Sequence, residues 1–198
     1  MSAREAPSPP PGIAKRTPLI HVLKPGAALH RFYPRRLDPL YFDRSLSGRF
    51  NAPDGSYGVL YAAGTRSGAF AETFLRVPGR TLIPSDLLAA KAYVHLTLTR
   101  PISLIQFTGP GLAKVGATAE VCHRSQPYDI PHSWSAALHN HPLTPDGLIY
   151  TARHDDQAEC LALFERSKDA LVEVERELNL EQDWFWALAE VYGVGLAP

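Results

Sequence analysis

Three short segments carry residue types that could act on a nucleotide: Gly48-Arg49-Phe50-Asn51, Gly58-Val59-Leu60-Tyr61 and Ala71-Glu72. They set an arginine and a carboxylate on either side of a short apolar run that reads as a strand. The guanidinium fork donates paired hydrogen bonds to phosphate oxygens. A carboxylate in the same cleft can stabilise a sugar centre that becomes positive, or hold the ribose hydroxyl beside it. Together these groups suit chemistry on a nucleotide ribose. Each also has a purely structural reading. Arg49 could pair with Asp43 or Asp54 at the surface, Tyr61 could be a core residue of an apolar strand, and Glu72 could lie on the solvated face of an amphipathic helix.

The elements that would position these residues follow from pattern. Leu29–Tyr33 alternates and is aromatic-rich, as a strand should be, and 37–57 reads as loop. A strand over 58–63 leads to a helix over 67–76 capped by Thr65, with Ala69, Phe70, Thr73 and Phe74 at helical spacing. Strands are expected at 92–98, 102–107, 147–152 and 160–164, the last two separated by a charged turn. A short helix is expected near 111–116, one over 131–141, and a C-terminal amphipathic helix over 181–192. That last helix would turn Trp184, Phe185, Leu188 and Val191 to the core; its aromatic surplus also suits an interface, including a homodimer. Short strands and helices without a regular βαβ rhythm predict an α+β fold.

Composition narrows the class. The 198 residues fit one domain, 45% hydrophobic and 20% charged, and the formal charge is zero because 20 Lys and Arg balance 20 Asp and Glu. That balance gives no bulk attraction to nucleic acid or anionic membrane. No apolar run reaches membrane-spanning length. Residues 1–18 hold five of the eighteen prolines and read as a flexible lead-in to a single domain over 19–198. Two cysteines, Cys122 and Cys160, do not make a disulfide framework, and a cytoplasmic location is expected. His139 and His141, with His132 and His123 upstream, invite a metal reading, but i and i+2 on a helix diverge and no cysteine pair completes a site, so no metal is expected. Cys122-His123 as a thiol and its base is disfavoured because adjacent side chains rarely face each other. The hydrolase elbow, the P-loop and the dinucleotide glycine fingerprint do not occur.

With the elements in this order the chain resembles the RES-domain family, named for an arginine, a glutamate and a serine. His30-Arg31-Phe32 opens the resemblance, and Gly48-Arg49-Phe50-Asn51 matches the glycine-arginine-aromatic-asparagine signature. Val59-Leu60-Tyr61 and Ala69-Phe-Ala-Glu72 match the strand and helix that follow. Asp146-Gly-Leu-Ile-Tyr150-Thr151-Ala-Arg153 and Cys160-Leu-Ala-Leu-Phe164 match the closing strands. The likeness spans about residues 29–166.

The resemblance implies a small mixed sheet with peripheral helices, like that of ADP-ribosyltransferase toxins. It also implies a bacterial toxin that cleaves the nicotinamide–ribose bond of NAD by hydrolysis or phosphorolysis. In some members the activity is ADP-ribosylation of a protein target, and a non-catalytic RES-fold binding module is the remaining alternative. NAD would be substrate, with no further cofactor, and the implied partner is an Xre-type antitoxin. Carried over by position, Arg49, Glu72 and Thr151 are catalytic, and Arg31 and Tyr61 bind substrate. The family serine falls at Thr151, which keeps the hydroxyl but adds a methyl group.

Overall fold

Why the central elements form is visible in their burial. Strand positions that alternate or run continuously apolar are covered on one or both faces, and the helices present their aromatic side to the sheet. The computed structural model describes residues 6–197 other than 78 and 80. The strands are β1 Ile20–Leu23, β2 Ala28–Pro34, β3 Val59–Ala63, β4 Leu82–Ile83, β5 Lys91–Leu98, β6 Ile102–Gln106, β7 Gly147–Ala152, β8 Asp155–Phe164, β9 Leu171–Glu177 and β10 Gly195–Leu196. The helices are α1 Arg66–Phe74, α2 Ser85–Ala89, α3 Gly109–Val115, α4 Ala119–His123, α5 Asp129–His139 and α6 Asp183–Val191.

The architecture is α+β. Eight strands form one sheet in the order β1-β6-β7-β8-β3-β2-β5-β9, while β4 and β10 pair separately. Neighbours in the large sheet are antiparallel except β6 and β7, which run parallel. One sheet face buries Leu29, Val94, Leu96, Leu104, Leu161 and Leu163 from four of its strands. Val94 and Leu96 on β5 lie far in strand order from Leu104 on β6, so the sheet curls around this aliphatic cluster. The other face carries the helices over an aromatic core that includes Phe32, Phe50, Phe70, Trp134 and Phe185.

Helix α1 matters most for function, because it carries Glu72. Thr65 caps it, its hydroxyl accepting from the Gly68 amide at 3.1 Å. Gly68 lets the helix lie close on the sheet: a β-carbon there would sit 3.1 Å from those of Ala63 on β3 and Ala158 on β8. Helix α6 then packs on α1, with Phe185 5.3 Å from Phe70 and 5.2 Å from Phe74 between ring centres. These edge and tilted ring contacts are worth about 0.5–1.5 kcal/mol each beyond their buried area.

Several expectations need correction. Strand β8 begins at Asp155 rather than at 160, because the charged stretch pairs with β7 (Thr151 opposite Glu159) instead of forming a turn. On α6 the buried residues are Phe185 and Ala189, whereas Val191 is 75% exposed and Trp184 half-buried. Strands β1 and β9 carry no strong sequence signal, since as sheet edges they combine apolar and charged positions. Within the Pro-rich lead-in, Ala6 is buried and the Pro7 carbonyl accepts from the Trp134 indole at 2.6 Å; residues 1–5 lie outside the described residues. Among the described residues no helix is long and apolar enough to cross a membrane.

Candidate active site

The loop between β2 and β3 is held with unusual completeness around Arg49. His132 on α5 bonds the Gly48 carbonyl at 2.9 Å, and Ser135, one turn on, donates to the Phe50 carbonyl at 2.5 Å. The Phe50 amide donates to the Tyr61 hydroxyl at 2.7 Å. That hydroxyl donates in turn to Asn51 Oδ1 at 2.9 Å, while Asn51 Nδ2 donates to Asp43 at 2.9 Å and to the Ser45 carbonyl at 2.7 Å. Gly48 is required here: a β-carbon at that position would lie 2.3 Å from Asn51 Oδ1. The signature Gly-Arg-Phe-Asn is therefore a clamp in which Phe50 and Asn51 point inward and Arg49 is presented to the cleft.

Arg49 approaches Glu72 across that cleft, Nη1 to Oε2 at 3.8 Å, with the two side chains 10% and 20% exposed. At that separation the charges attract without a formed hydrogen bond, so both groups keep capacity for a ligand. Burial opposes the charged form of Arg49, but Tyr150, Glu72, Tyr128 and Tyr61 together raise its pKa above the ordinary arginine value. The guanidinium also lies 5.9 Å from the centre of the Tyr128 ring. Glu72 is fixed from its other side. Oε1 accepts the Arg153 amide at 3.0 Å, and Oε2 accepts the Tyr150 hydroxyl at 3.4 Å.

Arg31 enters from β2. It is 8% exposed and, among the described residues, donates only to main-chain carbonyls, those of Tyr61 at 3.4 Å and Tyr41 at 3.2 Å, leaving Nε buried without a partner there. Burial pushes its pKa down to about 10. Arg31, Arg49, Tyr61 and Glu72 all line one cleft of about 470 Å³. The four positions converge although they come from two strands, a loop and a helix.

Thr151 does not join them. Its hydroxyl faces His123 Nε2 at 3.3 Å, and it lies outside the cleft lining. The neighbouring Tyr150 lines the cleft instead, as expected when adjacent strand residues point to opposite faces. Sequence reasoning passed over Tyr150, and over the scaffold residues Asp43, Asn51, His132 and Ser135. Asn51 alone had a signal, as the last residue of the signature.

The surface reading of Arg49 also needs correction: Asp43 is committed to Asn51 and Ser45, and Asp54 to the Ser56 amide. The rival constellations dissolve in the same way. Burial raises the Cys122 thiol to about 12, and Cys122 donates to the Phe107 carbonyl. His139 stacks on Tyr57 at 3.8 Å and meets Arg166, while His141 faces the Arg16 carbonyl.

Residues 27–187 match the RES domain family. The chain belongs to the RES-domain family. The match extends past residue 166 to take in β9 and the first half of α6, so the helix packed behind the Glu72 helix is part of the RES fold. Every residue that lines the cleft lies inside it. A chain of the crystal structure of the M. tuberculosis MbcT–MbcA toxin–antitoxin complex superposes with a TM-score of 0.64, covering 87% of this chain and 91% of that one at 14% identity. At that identity the likeness establishes a shared RES fold. No curated protein matches the sequence.

Proposed function

We propose that this chain is the toxin of a toxin–antitoxin pair and that it cleaves the nicotinamide–ribose bond of NAD. The observation that carries the reading is Glu72, presented to the cleft opposite Arg49 and fixed by Arg153 and Tyr150. RES membership and the likeness to MbcT support the toxin role, and an Xre-type antitoxin in the cytoplasm is the partner that goes with it.

The chemistry asked of such a site is modest. Nicotinamide leaves a cationic linkage as a neutral base, so no general acid is needed, and the ribose passes through an oxocarbenium-like transition state. The Glu72 carboxylate, turned to the ribose, accepts from the 2′-hydroxyl and opposes the positive charge that grows at C1′. Arg49 and Arg31 supply charge-assisted donors for the pyrophosphate oxygens. The unpartnered Nε of Arg31 is one such donor already stripped of water. Tyr61 acts through the clamp, because its hydroxyl is spent on Phe50 and Asn51 and its ring lines the cleft. The attacking group is water, phosphate or a protein side chain.

Incubating the purified chain with NAD and following nicotinamide release tests the proposal. Release in buffer alone identifies hydrolysis, and release that depends on added phosphate identifies phosphorolysis. No release under either condition, from folded protein, rejects it. Tyr150→Phe gives a finer check. It removes one donor to Glu72, and hydrogen bonds to charged groups are worth about 1.5–3 kcal/mol. Because this bond is long, the lower end applies, and kcat should fall about tenfold with KM little changed. A fall in KM affinity alone would mean that Tyr150 contacts substrate rather than holding the carboxylate.

A further inference from the structure

Beside Arg31, the cleft holds further cations that no carboxylate of the described residues pairs with. Arg31, Arg36, Arg76 and Lys91 all line it. Among the described residues, the side chains of Arg36, Arg76 and Lys91 make no hydrogen bond or ion pair. The carboxylates that share the cleft are already committed. Asp43 accepts from Ser45 and Asn51, and Glu72 faces Arg49, Tyr150 and the Arg153 amide. Exposed arginines alone would mean little, since solvated charges are ordinary. Arg31 and Lys91 are different: the first is buried and the second half-buried. Lys91 has its pKa lowered by burial and then by Arg76 and Arg31 beside it. Holding like charges together out of water is costly unless an anion joins them.

The row also reaches beyond Arg31 toward the end of β2. Lys91 stands opposite Pro34 in the β2–β5 register, three residues along β2 from Arg31. At strand spacing the two backbone positions are about 10 Å apart. Arg36 lies in the turn that follows β2, where the Leu37 amide bonds the Pro34 carbonyl, so it stays at the Lys91 end, and Arg76 sits two residues past α1 among the cleft-lining residues. With Arg31 and Arg49 assigned to the pyrophosphate, the Arg36–Arg76–Lys91 group at the β2 end of the cleft is left for another anion. What fits the remainder is a second, separate phosphate carried farther along the same ligand.

We propose that the Arg36–Arg76–Lys91 arm receives a phosphate monoester on the adenosine side of the dinucleotide, so that the preferred substrate is NADP over NAD. This rests on the nicotinamide-cleaving reading of the same cleft. A dianionic monoester has three oxygens to meet two guanidinium forks and an ammonium, the pairing in which arginine gains most from its planar geometry.

The experiment compares nicotinamide release from NAD and NADP at matched ionic strength. The expected result is a kcat/KM ratio favouring NADP by at least about tenfold, carried by KM. Lys91→Ala and Arg76→Ala should each lower that ratio toward one, and Lys91→Arg should retain it. A wild-type ratio of one or less overturns the proposal. So do variants that lower kcat/KM equally for both substrates, since the arm would then serve the common pyrophosphate. If neither dinucleotide is cleaved, calorimetric binding of ADP-ribose and 2′-phospho-ADP-ribose separates the two claims. Tighter binding of the phosphorylated form, lost in Lys91→Ala, supports the arm while the cleavage reading fails; equal binding overturns both.

Discussion

Glu72→Gln is expected to slow nicotinamide release by about 10²–10³-fold, about 3–4 kcal/mol of barrier, the effect of removing one preorganised group at a developing charge. The amide keeps the size of the side chain and can still accept the Arg153 amide through its carbonyl oxygen, so its NH₂ is left at the position of Oε2. There it faces the Arg49 guanidinium 3.8 Å away, one donor against another, where a carboxylate had offered charge. The loss is therefore electrostatic at the reacting ribose and falls on kcat, with the substrate still bound by the arginines. Stability should move by less than about 1 kcal/mol, because the side chain borders an open cleft. Expressed in bacteria without an antitoxin, the wild type should deplete NAD and arrest growth, and Glu72→Gln should do neither. Growth arrest with an intact NAD pool would redirect the proposal to ADP-ribosylation of a protein. Normal growth with both forms, at equal soluble expression, would favour a binding module.

How much of this was legible in the sequence depends on range. The strand carrying Tyr61 and the capped helix carrying Glu72 are local signals: five apolar residues, then Thr65, then helical spacing. Both emerge nearly as read. The clamp around Arg49 is not local. His132 and Ser135 reach the signature from more than 80 residues away, and nothing in the spelling of α5 distinguishes them from ordinary helix residues. Tyr61 illustrates the same limit. Its position in the cleft follows from the strand, but the commitment of its hydroxyl to Phe50 and Asn51 depends on a loop whose path no periodicity reports.

Thr151 lies outside the cleft lining for a different reason. A one-residue step along a strand reverses the face, so assigning the hydroxyl from motif order alone left Tyr150, its neighbour, as the side chain that reaches Glu72. The cationic arm was invisible because its members sit in the turn after β2, at the start of β5 and just past α1, segments far apart in the sequence. The balanced net charge of the whole chain conceals this local excess.

Phe50→Ala should strongly destabilise the fold, and it should damage the site as well. Phe50 is fully buried, its ring 5.1 Å from Tyr150 and 6.0 Å from Phe107 in edge contacts. Truncating such a side chain costs about 3–5 kcal/mol through lost transfer energy and the cavity left behind. Domains of this kind have only about 5–15 kcal/mol in hand, so the denaturant midpoint should fall sharply at unchanged m-value. The consequence for function comes through geometry. Phe50 seats the signature against Tyr150, the residue that also holds Glu72, so the cavity loosens both walls of the cleft together. Activity per folded molecule should therefore drop, with KM rising as Arg49 loses its fixed direction. Phe50→Leu keeps most of the volume and should recover much of the stability but less of the activity, because a leucine cannot reproduce the edge contact that orients Tyr150. If instead both variants retained wild-type KM once folded, Arg49 would be positioned by the hydrogen bonds of Tyr61, His132 and Ser135 alone, and the ring would be packing without a part in recognition.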